Sequence, residues 1–230
     1  MYTQLSFTEI IKTISCLELR IIERMPDSDI AQVCKELHST ANHAQQRVRT
    51  LSTPNKWIRG SVIAVVIVFS SVLIYTLSLF EWEFSKPTLA EMIQITEALI
   101  NDIILLGAAL FFLLTLEQRL QRRSVLQELH QLRSIAHLVD MHQLTKDPSM
   151  INSQEQQTEH SPERNMTQFQ LQRYLDYCSE MFSLIGKIAA LYSERFPDTE
   201  IVAAANDIED LCTGLSRKVW QKLYFIEGTP

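Results

Sequence analysis

The run "SVIAVVIVFSSVLIYTLSLF", Ser61 to Phe80, limits this chain more than any other stretch, because it carries no charge, no proline and no glycine. About 20 such residues are what a helix needs to cross the hydrocarbon core of a bilayer. A second run, "ALINDIILLGAALFFLLTL", follows from Ala98 to Leu116, and its one charge, Asp102, stands near the start. Soluble core helices rarely stay apolar on every side for so long, so the pair predicts two membrane spans. A secretory signal would open the chain within roughly 15–30 residues, and the first run starts far later than that.

The flanking charges set an orientation. Arg47, Arg49, Lys56 and Arg59 precede the first run, and Arg119, Arg122, Arg123 and Arg133 follow the second. The connector "EWEFSKPTLAEMIQITE", Glu81 to Glu97, has one lysine against four glutamates. Cations stay on the cytoplasmic side, which predicts a multi-pass protein of the plasma (inner) membrane with both termini cytoplasmic. Trp57 and Trp82 bracket the first run, where indole rings favour the headgroup level.

The remainder reads as helix. Composition is 46% hydrophobic with 5 Gly and 7 Pro in 230 residues, a balance suited to long helices. Phe7, Ile10, Ile14, Leu17 and Ile21 recur at helical steps, and "RMPDSD" ends that pattern. From Ser28 or Asp29 a second stripe runs through Ile30, Cys34, Leu37, Ala41, Ala44, Val48 and Leu51. Thr88 and Glu91 form a capping box before the second run, which continues past the membrane as Val125, Leu129, Leu132, Ala136 and Val139. An unbroken helix from Thr88 to about Leu144 would measure about 85 Å at ~1.5 Å per residue. Two further stripes, Leu171, Leu175, Cys178, Phe182, Ile185, Ala189, Tyr192 and then Ile201, Ala204, Ile208, Leu211, Leu215, Val219, flank the turn Phe196-Pro197-Asp198.

The expected fold is therefore an all-α membrane protein: a two-span transmembrane helical hairpin with a cytoplasmic antiparallel helical bundle of coiled-coil character. Residues 1–56 form a cytoplasmic N-terminal helical hairpin, and 57–118 hold the spans (about 59–80 and 98–117) with a short external connector, 81–97. Residues 119–147 extend the second span into the cytoplasm, 148–165 are a flexible linker, and 166–230 make a C-terminal helical hairpin. The order of helix, two spans and long helix over about Asp29 to Leu144 is similar, as an arrangement, to bacterial two-span effector domains that accompany nucleotide-signalling systems. That likeness implies no particular functional residue.

Few residues suggest chemistry. His137, Asp140 and Met141 share a helix face at i, i+3 and i+4, a low-ranking metal set because three or four convergent ligands are wanted. The competing reading is a helix terminus, with His142 and Lys146 in its last turn and Asp147-Pro148 stopping it. Asn101 and Asp102 fall about one turn inside the outer edge of the second span, and either sit at the interface or make an intramembrane polar contact. Cys16, Cys34, Cys178 and Cys212 are unpaired in spacing and read as structural thiols on apolar stripes. "SRKVWQKLYF" reads as a helix end with cations toward the dipole and aromatics in the core, ahead of a segment lying on an anionic leaflet.

There is no Gly-rich phosphate loop, no G-x-S-x-G and no H-E-x-x-H, so no enzyme is expected and no cofactor. A net charge of −6 argues against nucleic acid. The expected partners are the lipid bilayer and further copies of the chain or other membrane subunits. The expected role is a structural, scaffold or signal-coupling subunit working through helix-bundle assembly, with an oligomeric pore, and then a metal- or haem-binding subunit, as alternatives.

Overall fold

In the computed structural model every described element is a helix. The structure describes residues 5–51, 56–79, 88–146, 160 and 166–227. Most of the expected linker, the start of the connector, Trp82 and the side chains of Trp57 and Glu91 lie outside the described residues. Among the described residues six helices follow in order: α1 (Phe7–Arg24), α2 (Asp29–Leu51), α3 (Lys56–Leu79), α4 (Leu89–Leu144), α5 (Gln168–Arg195) and α6 (Thr199–Glu227). The chain divides into two compact units, one of residues 1–50 with 122–230 and the other of residues 51–121.

Helix ends in the first unit follow from local chemistry. Ser6 caps α1, its Oγ accepting from the Glu9 amide, and Glu9 and Arg24 complement the dipole at opposite ends. Pro26 cannot continue that helix. Thr167 and Gln170 cap α5 reciprocally, each side chain bonding the other's backbone amide. Pro197 then turns the chain, and Asp198 Oδ1 accepts the amides of Glu200 and Ile201 to start α6.

The core of this unit consists of helix stripes. α1 buries Phe7, Ile10, Ile14, Leu17 and Ile21; α2 buries Ile30, Cys34, Leu37, Ala41, Ala44 and Val48; α4 buries Val125, Leu129, Leu132, Ala136 and Val139. α5 lies at the centre, pairing with α6 and also packing on α1. It buries Tyr174, Tyr177, Met181, Ile188 and Leu191 in addition to the expected stripe, since a helix enclosed by several neighbours needs more than one apolar face. The α6 stripe differs from expectation: Ala205 and Cys212 are buried where the spacing favours Ala204 and Leu211, and Leu223 and Ile226 extend it. Cys16 is exposed, off the α1 stripe, whereas the other three cysteines are buried.

The second unit has the opposite character. From Met92 to Gln121 no described residue of α4 is buried, and Ile103, Ile104, Leu105, Phe111 and Phe112 are each more than half exposed. Among the described residues one helix segment, Met92–Leu144, is long and apolar enough to cross a membrane. α3 contributes a shorter apolar stretch, Gly60–Val72, which is likewise not buried.

Candidate functional site

The character of α4 changes within one turn. No described residue of the helix before Arg122 is buried, while Val125 is fully buried and opens a stripe that runs to Gln143. Arg122 occupies the changeover, and its guanidinium reaches the turn between α5 and α6. Nε donates to Asp198 Oδ2 at 2.9 Å, Nη2 lies 2.8 Å from the same oxygen, and Nη1 donates to Glu200 Oε1 at 2.6 Å. Asp198 divides its work: Oδ1 starts α6 and Oδ2 holds α4. A planar five-donor fork suits such a two-carboxylate grip better than a lysine ammonium would. The sequence offered Arg122 merely as a flanking cation, because its partners stand 76 and 78 residues away.

A second tie closes the far end of α4. Lys222 of α6 donates from Nζ to the carbonyls of Gln143 and Lys146, at 2.8 and 3.3 Å. Terminal carbonyls of a helix have no intrahelical partner, so a cation there satisfies them and offsets the dipole. His142 stands 3.5 Å from Asp29 at the start of α2. Gln143 is fully buried and donates to Asp140 Oδ1 at 2.7 Å.

The metal candidates sit in this region without converging. His137 and Met141 are exposed, and Asp140 accepts from Gln143. Among the described residues no group of three His, Cys, Asp or Glu side chains is arranged to hold an ion. Asn101 and Asp102 are both exposed on the apolar part of α4, and Asn101 lines a shallow open hollow with Ile93, Glu97 and Ile100.

An open cleft of about 370 Å³ lies among α1, α5 and α6, with Arg20, Arg24, Arg173, Tyr177, Glu180 and Trp220 in its lining. Its cations already face partners. Arg20 grips Glu180 through both terminal nitrogens, at 3.2 and 2.5 Å, which raises the guanidinium's pKa further. Arg173 pairs with Asp176, and the Arg24 and Arg173 guanidiniums both approach the Phe169 ring, at 5.8 and 5.6 Å. Burial, helped by Glu18, pushes the Cys34 thiol up to about 12, and burial does the same for Cys212. Neither is a nucleophile at neutral pH.

The C-terminal aromatics correct another expectation. Trp220, Tyr224 and Phe225 point outward, 65%, 75% and 68% exposed, so they do not fill the core. α6 supplies its core contacts from Val219, Leu223 and Ile226 on the other side. No protein-family model matches the chain, and neither a curated protein nor a solved structure matches it.

Proposed function

We propose that this chain is a non-enzymatic integral membrane protein that crosses the bilayer twice, with both termini in the cytoplasm, and couples those spans to a helical bundle. It serves as a structural, scaffold or signal-coupling subunit. The observation that carries the reading is the bare apolar surface of α4 between Met92 and Gln121. Each large apolar side chain left in water forgoes about 1.5–3 kcal/mol of burial, and a run of them is tolerable where lipid is the solvent. The flanking arginines and Lys56 support that orientation. Coupling is supported by α4 itself, since the helix that bears this surface also supplies Arg122 and the buried stripe from Val125 to Val139.

Fractionation of lysed cells tests the membrane reading. The chain is expected to pellet with membranes, to resist alkaline carbonate and to dissolve in detergent. Accessibility labelling is expected to mark a cysteine placed in the connector from outside, and Cys16 only after permeabilisation. A chain that stays in the supernatant without detergent refutes the proposal.

A second reading, an oligomeric pore, is favoured by the exposed polar pair Asn101 and Asp102 on an otherwise apolar helix. It requires a conductance in planar bilayers that Asp102→Asn alters; a silent bilayer, or an unchanged conductance, eliminates it.

A further inference from the structure

The outer face of α6 is patterned along its length. Opposite the buried stripe, the exposed residues Ala203, Asp207, Asp210, Gly214, Arg217, Gln221 and Tyr224 recur at four- and three-residue steps, which is the spacing of a helix–helix seam. Its first half is acidic, through Asp207 and Asp210. Its second half is cationic and aromatic, through Arg217 and Tyr224 with Lys218 beside them. The division falls at Thr213 and Gly214. Gly214 has nothing within 4 Å of the place a Cβ would occupy, so no contact within the chain calls for glycine there. An exposed glycine inside a helix costs about 1 kcal/mol relative to alanine.

A second α6 laid antiparallel across this face accounts for all three features. About a two-fold axis between residues 213 and 214, Asp210 of each copy meets Arg217 of the other, and Ala203 meets Tyr224. Gly214 falls at the crossing, where the absence of a side chain lets the backbones come close. A two-fold interface is self-complementary in this way: if i meets j, then j meets i. Antiparallel pairing also sets the two helix dipoles head to tail.

We infer that α6 is a self-association face, through which two copies of this chain pair antiparallel about Thr213 and Gly214. The partner is a second copy and not a lipid surface, because Asp207 and Asp210 share the face with the cations and an anionic leaflet would meet carboxylates along half of it. This inference rests on the assembly role proposed above and names the partner for it.

The test uses the full chain in gentle detergent, with mass measured on the intact particle. Asp210→Arg alone sets Arg against Arg, and Arg217→Asp alone sets Asp against Asp; the double variant restores opposite charges. Since each single change acts twice across the axis, dimerisation is expected to weaken by about tenfold or more, and the double variant to regain it. Both positions are exposed, so helicity by circular dichroism should not move in any variant. Independently, Thr213→Cys in a Cys16→Ser background is expected to cross-link to a dimer with a short bismaleimide. A monomeric wild type, or a dimer indifferent to both single reversals, overturns the inference. So does quenching of Trp220 by brominated phosphatidylserine in proteoliposomes, measured in a Trp57→Phe, Trp82→Phe background, when the Thr213→Cys variant gives no cross-link. The two proposals fail separately: a soluble chain of any mass refutes the membrane reading, and a membrane-bound monomer refutes this one.

Discussion

Replacing Arg122 with glutamine keeps the length and polarity of the side chain but removes the charge that grips the α5–α6 turn. The Arg122 and Asp198 side chains are 35% and 27% exposed, whereas Glu200 is 60% exposed. The Asp198 arm, bonded by two nitrogens and mostly shielded, is worth about 1 kcal/mol, and the screened Glu200 arm about 0.5 kcal/mol or less. The expected loss is therefore about 1–2 kcal/mol of bundle stability, or roughly 2–8 °C in Tm for a unit of this size. Asp198→Ala should cost more, since it also deletes the α6 cap, itself worth about 1 kcal/mol. A double-mutant cycle in detergent, read by thermal melts, isolates the pair terms. Coupling near 1 kcal/mol is expected between Arg122 and Asp198, with less between Arg122 and Glu200. Raising salt should erase most of the second and spare most of the first. Hydrogen exchange at the Glu200 and Ile201 amides should quicken in the Asp198 variant. Zero coupling to Asp198, or stronger coupling to Glu200 than to Asp198, would refute the clasp.

Two further outcomes follow from burial. Phe182, with no exposed surface at the centre of α5, should cost about 3–5 kcal/mol on truncation to alanine, while Leu19→Ala on the exposed side of α1 should change stability by less than about 0.5 kcal/mol in chemical or thermal melts. Thiol reagents at neutral pH should modify Cys16 alone in the folded chain, and all four cysteines after denaturation. The same burial fixes an alkaline limit: Cys34 and Cys212 ionise near 9 when unfolded but only at about 12 when folded, and Tyr174 and Tyr192 are raised as well. Above about pH 9 the unfolded state thus holds fewer protons than the native one, so stability is full below that pH and falls as pH rises toward about 12. Melts that are flat from about pH 8 to 11 would contradict this.

Much of the bundle was legible as period. The stripes of α1 and α5, and that of α2 as far as Val48, emerge buried as spaced, because each repeats at the helical period and so keeps to one side of its helix; the side chain of Leu51 lies outside the described residues. In α6 the runs "VAAAN" and "LC" offer two adjacent apolar residues at each step, so spacing alone could not choose Ala205 over Ala204 or Cys212 over Leu211. The tilt of the α6 aromatics outward was also illegible, since Trp220 and Tyr224 lie beside Val219 and Leu223 in sequence and either pair could have faced inward. The Arg122 clasp and the Lys222 cap depend on approaches over more than seventy residues, which no local pattern encodes. The His137, Asp140 and Met141 cluster is close in sequence, yet Asp140 is turned toward Gln143.

The tie between Lys222 and the end of α4 has a consequence for biogenesis. α1 packs against α5 and the end of α4 is capped by α6, so although α2 already meets both early helices through His38–Glu18 and Arg47–Glu128, the core cannot close until the last third of the polypeptide has been made. At about 5–20 residues per second, α1 and α2 wait roughly ten to thirty seconds for the helices that complete their core. During that interval the apolar segments have already left the ribosome. On the membrane reading proposed above, those segments would reach lipid before the bundle closes, while α1 and α2 have one another as partners until translation ends.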